Sequence, residues 1–513
     1  MYRIHRAVHW ASLDAYIRSL GPGGPGFGVA PYTGALPAGF SEMTGTRTLG
    51  HDNWGNYTYS DGSVMCWIPA FVYRIGDAAN PTYGAHGANS IDVKMLTYFG
   101  DESAANSAGY ALHRAFYDGG AVQPGFFVDK YLCSNNSGTA SSIALGNPLS
   151  TAAAHNPLSG LTGAPANNYA GCIDAAKTRG ARFFPATRFI HTALAMLSLA
   201  HAQASSSTTN CAWYSATTTN FPKGNNNNAL KDTDDTSVTF TSDGYGGGNS
   251  AKTGSGSNFA KTTHNGQNSG VCDLNGNMWE VSLGVTAVVS TPAISAATQA
   301  NPVQITTSAA HGLSTGNMAL ITGVVGMTQL NDRIYTVTVI DATRFTLDGV
   351  DGTGFTAWSS GGTVRHGTHY VWKTTTAAKD ITSGATLATD AWGATGVAAH
   401  SDPITPTWRT DHPNNGAGQR YGNSTNAVFS AATSGDDWVR AALGFPAASS
   451  GVSSGGTAPF GTDYFYSYIT NQLCPRAGGA WAYGSGAGVW ASSWTDARTY
   501  SDHFVGFRAA SYL

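Results

Sequence analysis

Residues 476–513 read RAGGAWAYGSGAGVWASSWTDARTYSDHFVGFRAASYL, and two kinds of position alternate along them. One kind is typical of a fixed framework, because its glycines allow close backbone approach and its large rings can be buried. These framework positions are Gly478, Gly479, Trp481, Gly488, Val489, Trp490, Ala491, Trp494, Ala497, Arg498, Val505, Gly506, Phe507 and Arg508. The mixed positions share no size, charge or polarity, and they are Ala480, Ala482, Tyr483, Gly486, Ser493, Thr495, Asp496, Tyr500, Asp502, His503 and Phe504. The stretch has neither the convergent polar groups of a catalytic loop nor the period-two alternation of a strand.

This pattern resembles the C-terminal variable region of proteins that diversity-generating retroelements rewrite. Those proteins use a C-type-lectin-like fold of the formylglycine-generating-enzyme (sulfatase-modifying factor) subclass. In that family, mutagenic reverse transcription changes asparagine codons of the AAY type, with products that include Ala, Tyr, Gly, Ser, Thr, Asp, His and Phe but exclude Trp, Lys, Glu, Gln and Met. Every mixed position holds an allowed product, whereas Trp481, Trp490 and Trp494 fall at framework positions. Asparagine is frequent upstream, as at 225–228, and absent from residue 476 onwards, as such rewriting would leave it.

Three upstream motifs extend the resemblance to this subclass. GFFVDKYLC (125–133) predicts a strand, and ARFFPATRFIHTALAMLSLAHAQA (181–204) predicts a helix capped by Thr187 with one apolar stripe. The third motif, DLNGNMWE (273–280), is similar to the Gly-Asn-Val-Trp-Glu motif of the subclass, and its Trp279 can be buried beside paired strands. A further helix is predicted over 102–118 from apolar residues at helical spacing.

Between these motifs and the C-terminal stretch, the residue pattern changes to short candidate strands. Residues 286–366 contain candidate strands at 303–306, 318–322, 334–339 and 344–347 separated by glycine turns, and they resemble a small β domain of phage tail-associated proteins. The fold class is therefore predicted as α+β, a C-type-lectin-like fold interrupted by a small all-β inserted domain. The predicted organisation is an N-terminal β-rich segment (1–70), the first part of the lectin-like domain (71–285), the insertion (286–366), and the second part (367–513) with the variable region at 476–513.

Length and composition exclude several classes of protein. At 513 residues the chain is too long for one ordinary core, so two or three domains are expected. Only 11% of residues are charged, the net charge is −3 and no Lys/Arg stripe is seen, so a nucleic-acid partner is not expected. The absence of a long apolar run predicts no membrane insertion, and MYRIHRAV (1–8) has no apolar signal-peptide core. The location stays open, with a virion tail or a cell surface as the expected places.

Enzymatic and metal chemistry find little support. An oxidase of the formylglycine-generating type needs a copper-binding cysteine pair, but alignment of the family turn on Gly478–Trp481 places Tyr483 and Gly488 at those positions. Asp502 beside His503 is not expected to form a catalytic pair, because neighbouring residues on an extended chain point to opposite faces. Calcium bound by Asp232, Asp234, Asp235 and the asparagines 225–228 is a less favoured alternative to a solvated loop.

The six cysteines form no C-x-x-C pair, so zinc ligation has no support in the sequence. Buried thiols and long-range disulfides both remain open for these residues, which are Cys66, Cys133, Cys172, Cys211, Cys272 and Cys474.

The sequence thus predicts a binding protein without catalytic activity and without a cofactor. Its mixed positions are expected to bind a variable protein or glycan, with Tyr483, Tyr500 and Phe504 as aromatic anchors. Trp279, Trp481, Trp490, Trp494 and the triplet Gly506–Arg508 are expected to be buried framework, with the Arg508 guanidinium satisfied by carbonyl groups or a carboxylate. The alternatives are a structural phage-tail component and, less favoured, an enzyme on the same scaffold.

Overall fold

The computed structural model describes residues 13, 15, 17, 19–216, 221–383, 396–404, 419–422, 426–448, 451–453, 460–468 and 470–513. The expectation of no signal peptide concerns residues 1–8, which lie outside these described residues. None of the helices in the described part of the chain is both long enough and apolar enough to cross a bilayer.

The described residues combine several small sheets with short helices, so the α+β class is confirmed at that level. The strands are, in chain order, β1 (Phe40–Glu42), β2 (Asn56–Tyr59), β3 (Val64–Pro69), β4 (Phe71–Ile75), β5 (Ile91–Met95), β6 (Ala111–Leu112), β7 (Tyr117–Asp118), β8 (Ala121–Val122), β9 (Gly125–Asp129), β10 (Cys133–Asn136), β11 (Thr139–Ser142), β12 (Phe184–Pro185), β13 (Trp279–Val281), β14 (Val285–Ser290), β15 (Ile294–Ala297), β16 (Gln304–Thr307), β17 (Met318–Val325), β18 (Arg333–Val339), β19 (Arg344–Leu347), β20 (Ser360–Trp372), β21 (Ser401–Ile404), β22 (Arg420–Tyr421), β23 (Val452–Ser453), β24 (Phe465–Ser467), β25 (Arg476–Ala477), β26 (Ser492–Trp494), β27 (Val505–Gly506) and β28 (Ala509–Ser511). The α-helices are α1 (Tyr83–His86), α2 (Leu96–Phe99), α3 (Glu102–Ser107), α4 (Tyr169–Lys177), α5 (Arg188–Ala204), α6 (Gly396–His400) and α7 (Gly435–Ala442).

One six-stranded sheet joins the beginning of the chain to its end, in the order β1-β2-β3-β9-β28-β12. Trp67 of β3 is registered with Phe127 of β9, and Val128 of β9 is registered with Ala510 of β28. Side chains on both sides of the predicted boundary at residue 70, such as Ile68 and Val72, belong to the same hydrophobic core. The described part of segment 1–70 therefore belongs to the main domain, because its strand β3 is an inner strand of this sheet.

The longest helix, α5, forms where the sequence predicts it. Thr187 precedes it, and its Oγ1 accepts a hydrogen bond from the Ile190 amide at 3.1 Å, which satisfies one of the free donors of the first turn. The helix predicted over 102–118 is wrong beyond α3. Gly109 adopts φ +79°, and Leu112 then pairs with Val72 in a sheet, so strand pairing rather than a helix face buries these apolar residues.

A second, five-stranded sheet has the order β24-β26-β25-β13-β27 and contains the C-terminal stretch. Strand β13 runs parallel to β27 and antiparallel to β25, with Glu280 registered between Gly506 and Ala477. Because side chains alternate across a strand, Trp279 and Glu280 point to opposite faces of this sheet. The carboxylate of Glu280 enters the core, where its side chain is 1% exposed.

A buried network of charged groups connects the distant sequence motifs. Arg508 donates from Nε to Glu280 Oε2 at 2.6 Å and from Nη2 to Glu280 Oε1 at 2.7 Å. It also donates to the carbonyl oxygens of Asp129 at 3.1 Å and Cys272 at 3.0 Å. The Asp129 carboxylate in turn accepts hydrogen bonds from Arg179 at 2.6 and 3.0 Å. The GFFVDKY, NGNMWE and GFR motifs are thus joined at one buried point.

The region 286–366 contains a hydrophobic core of its own, formed by residues between Ile294 and Val364. The chain leaves the main core along β14 and returns along the second half of β20, which pairs with β14 from Val285↔Val371 onwards. Ala287 still belongs to the main core. The separate core therefore starts later than the predicted boundary at 286, because the first residues after that boundary form a stem that is continuous with the main domain.

Replacement of Glu280 by glutamine is expected to lower the free energy of unfolding by about 3–5 kcal/mol, because the buried Arg508 guanidinium then lacks its counter-charge. Urea denaturation followed by circular dichroism measures this change. The matched control is Asp380→Asn, which removes an exposed pair with Lys379 and is expected to leave the free energy of unfolding nearly unchanged, because solvent screens such pairs. Equal effects of the two substitutions would show that the buried pair does not organise the fold.

Three fully buried histidines predict a fall in stability at acid pH. Burial lowers the pKa of His113 and His264 to about 3 and that of His201 to about 4. Between the unfolded pKa of about 6.5 and these values, the unfolded chain binds more protons, so stability falls as the pH falls. His113→Asn keeps an acceptor for the Ala115 amide and is expected to reduce the slope of unfolding free energy against pH by up to about 1.4 kcal/mol per unit. An unchanged slope between pH 6.5 and 4 contradicts this expectation.

Candidate functional site

The outer face of the five-stranded sheet is the floor of the candidate site. Tyr466 of β24 is registered with Ser493 of β26, which is registered with Arg476 of β25. Arg476 is registered with Val281, so Trp279, two residues away on the same strand, shares their face. The segments 481–486 and 500–504 supply the side chains that pack against this floor.

Aromatic rings from these segments form one continuous surface. The ring of Tyr483 meets the edge of Trp279 at a centroid distance of 5.3 Å and lies 6.4 Å from Phe504. Phe504 contacts His503 at 5.0 Å, and His503 contacts Trp481 at 6.0 Å. We call the exposed side of this cluster, Trp481, Tyr483, Tyr500, His503 and Phe504 with their neighbours, the aromatic surface.

Polar groups lie beside these rings. Arg476 forms an ion pair with Asp496, and its guanidinium carbon lies 4.4 Å from the centre of the Tyr500 ring. Burial raises the pKa of Tyr500 to about 12 against the opposing charge of Arg476, so its hydroxyl stays protonated and donates to Asp502 at 3.0 Å. Thr495 donates to Asp496 at 2.8 Å. The cluster thus offers donors, acceptors and apolar rings within one area.

Most of the mixed positions reach solvent here. The half-buried or exposed ones are Ala482, Tyr483, Thr495, Asp496, Tyr500, Asp502, His503 and Phe504. Three others, Ala480, Gly486 and Ser493, are buried, which corrects their assignment to the exposed surface. A Cβ atom at residue 486 would lie 1.8 Å from the Tyr464 ring, and Ser493 is the middle residue of β26 beneath the Arg476 side chain. These three positions shape the floor and do not present side chains to a ligand.

The framework positions divide in a similar way. Trp490, Trp494, Phe507 and Arg508 are at most 1% exposed, whereas Trp481 is half-buried. The prediction that Trp481 is buried framework is wrong, because its ring lies at the margin of the aromatic surface against Gly248 and His503.

Sequence reasoning missed several contributors to the surface. Tyr464 and Tyr466 lie 6.4 and 6.5 Å from Tyr483, and Tyr245 lies 5.3 Å from His503. The alternation of tyrosines in DYFYSY (463–468) is the period-two signal that could have placed Tyr464 and Tyr466 on one face. No comparable signal marks Tyr245, which comes from a polar loop far away in the sequence.

Asp502 and His503 lie closer together than the sequence predicts. Their Oδ1 and Nδ1 atoms are 2.7 Å apart, because the chain turns at 503–504 instead of continuing extended. The other ring nitrogen of His503 has no hydrogen-bond partner among the described residues. Thus no hydroxyl or thiol in the described chain is paired with this histidine as a nucleophile, and the absence of catalysis stays a prediction.

The positions aligned with the oxidase cysteines are occupied differently. A Cβ atom at Gly488 would lie 2.0 Å from the Asp463 carboxylate, so this backbone leaves no room for a thiol there. Burial raises the pKa of the nearby Cys474 thiol to about 12. All six cysteines are buried free thiols, which settles the choice that the sequence left open between thiols and disulfides.

The loop considered for calcium uses its carboxylate internally. Asp232 accepts hydrogen bonds from the amides of Gly224, Asp234 and Asp235 at 2.8, 2.9 and 2.8 Å. It also accepts one from the Asn226 side chain at 3.2 Å. Protein donors therefore occupy both carboxylate oxygens of Asp232, and the described residues contain no group of three or more His, Cys, Asp or Glu side chains placed to hold a metal ion.

The different burial of the mixed positions predicts different tolerance to the same substitution. Ser493→Tyr is expected to lower the free energy of unfolding by about 1–3 kcal/mol, because the ring overfills the floor. Ala482→Tyr, at an exposed site, is expected to change it by at most about 0.5 kcal/mol. Thermal and urea melts of the two variants test this, and a Ser493→Tyr protein as stable as Ala482→Tyr would contradict the assignment of residue 493 to the floor.

Residues 298–367 match the family described as the ubiquitin-activating enzyme E1 FCCH domain. The matched residues span β16 to β19 and the first half of β20, and they coincide with most of the separate hydrophobic core. The similarity concerns a small part of the 513-residue chain. No curated protein matches the chain.

Proposed function

We propose that this protein is a non-catalytic ligand-binding protein whose C-terminal surface is diversified by a retroelement. In this proposal the main domain is a C-type-lectin-like domain of the formylglycine-generating-enzyme subclass, and residues 286–366 form a β domain inserted into one of its loops, with its own core between Ile294 and Val364. The ligand is a protein or glycan on another cell or virion.

The observation that carries the proposal is the position of the mixed residues. Eight of the eleven reach solvent, and ring contacts, hydrogen bonds and the Arg476 guanidinium connect most of them into one surface. The framework residue Trp490 is buried in the core, where its ring lies 4.8 Å from that of Phe429 and 5.6 Å from that of Phe460. Because surface substitutions usually change stability by at most about 0.5 kcal/mol, such a surface can vary while the packed rings preserve the fold.

The order of the motifs supports the proposed fold family. GFFVDKY forms β9, the ARFFPATRF motif leads into α5, and NGNMWE leads into β13, which pairs with strands from the C-terminal stretch. Glu280 of one motif and Arg508 of another form a bidentate ion pair, so residues that are distant in the sequence act together. A fold likeness alone does not specify a ligand, so the function rests on the surface.

Recognition would depend on the aromatic surface. Tyr483, Tyr500 and Phe504 are half-buried, so part of each ring is held by the core while the rest stays available. Rings held in this way bind with little loss of conformational entropy, and tyrosine adds a hydroxyl for hydrogen bonds. The smaller residues Ala482 and Thr495 would shape the space around them.

Deep sequencing of the 3′ end of the gene across a population of the host tests the proposal. We expect substitutions concentrated at codons 482, 483, 495, 496, 500, 502, 503 and 504, with fewer at 480, 486 and 493, because these three positions are buried. Codons 481, 490 and 494 are expected to stay tryptophan. Rewriting acts on asparagine codons of the AAY type and does not yield tryptophan, so these three codons are not among its targets.

Synonymous changes in the codons for β9 and α5 provide the control for ordinary divergence. A uniform sequence at the mixed codons, or substitutions spread evenly over mixed and framework codons, would contradict diversification. In either case the alternative of a structural phage-tail component with an ordinary packed surface would be favoured.

A further inference from the structure

Arg476 lies at the centre of the floor with part of its guanidinium unpaired. It is 6% exposed, and its Nη2 contacts Asp496 and lies 3.4 Å from Ser493 Oγ. Its Nε and Nη1 atoms are buried and have no hydrogen-bond partner among the described residues. The guanidinium carbon lies 4.4 Å from the Tyr500 ring centre and 5.5 Å from that of Trp279.

Both groups that mask this arginine are at mixed positions. Asp496 occupies the Nη2 donor, and the Tyr500 ring covers one face of the guanidinium. Buried donors without partners are costly, and a planar guanidinium matches a carboxylate through two parallel hydrogen bonds. Loss of the Asp496 carboxylate would free Nη2. Two neighbouring N–H groups on one edge of the guanidinium would then be available to a ligand carboxylate. A small residue at 500 would open the path to it.

We propose that Arg476 is a fixed carboxylate-binding residue of the aromatic surface, and that the residues at 496 and 500 determine whether a ligand reaches it. Its ligand is a carboxylate next to an apolar or aromatic group, because aromatic rings lie beside Arg476. The Trp279 ring is near its guanidinium, Tyr483 contacts Trp279, and Phe504 adjoins Tyr483. The inference deepens the proposed function, since natural variation at 496 and 500 would then turn carboxylate recognition on or off. The binding chemistry itself is independent of whether those codons vary.

The test uses the full chain and benzoate, measured by isothermal titration calorimetry. The variant Asp496→Ala/Tyr500→Ala is expected to bind benzoate at least about tenfold more tightly than the unaltered protein, as one charge-assisted interaction would provide. Benzamide has the same ring without the charge, and its affinity is expected to be the same for both proteins.

Addition of Arg476→Gln to the double variant is expected to abolish the gain for benzoate. Should that triple variant fail to fold by circular dichroism, Arg476→Lys provides the second comparison, because lysine keeps the charge without the two-pronged fork and should lose most of the gain. Equal benzoate affinity of the double variant and the unaltered protein overturns the proposal. A gain that persists without Arg476, or that benzamide shares, overturns it as well. None of these results bears on sequence variation in the host, so the proposed function can fail separately.

Discussion

The bidentate ion pair between Glu280 and Arg508 is the interaction on which the rest of the structure depends. Both side chains are buried, and the arginine also reaches the backbone of β9 through the Asp129 carbonyl. Such a pair adds little net stability compared with well-packed apolar residues, but loss of one partner leaves an uncompensated charge in the core. The ion pair also constrains strand pairing, because β13, β27 and the start of β28 must meet in a register that brings Glu280 and Arg508 together.

This arrangement separates the part of the C-terminal stretch that must stay constant from the part that can change. Side chains of β25 and β26 alternate between the two faces of the sheet, so Arg476 and Ser493 lie on the outer face while Ala477 and Trp494 face the core. Asp463 adds a second constraint, since its carboxylate accepts the Trp490 amide at 2.8 Å and lies close against Gly488. The loops between these fixed points carry the eight mixed positions that reach solvent. The backbone under the aromatic surface is therefore held mainly by buried contacts and depends little on the side chains at the mixed positions.

The sequence predicted those elements whose local pattern agrees with their final environment. Helix α5 has an apolar stripe and a threonine cap, and the strands of the insertion are separated by glycine turns, so both were predictable. The segment 102–118 was not, because Leu112 is buried by pairing with Val72, a contact between distant parts of the chain. The bidentate partner of Arg508 was also beyond sequence reasoning, which specified only that the guanidinium needed acceptors.

For the candidate site, composition identified the stretch but not the burial of each residue. Ser493 and Asp496 are both small polar side chains, yet Ser493 is buried in β26 as part of the floor and Asp496 reaches solvent. Tyr245 and Tyr464 join the surface from other loops, which only the tertiary structure reveals.

The most direct test of the account is a folding selection on a library with single substitutions at every position from 476 to 508. Yeast-displayed variants would be sorted by resistance to protease and then sequenced. We expect most substitutions to be tolerated at the eight mixed positions that reach solvent, and few to be tolerated at Ala480, Gly486, Ser493, Trp490, Trp494 and Arg508. Equal tolerance at the exposed mixed positions and at these buried ones would contradict the claim that a buried framework holds a freely changeable surface.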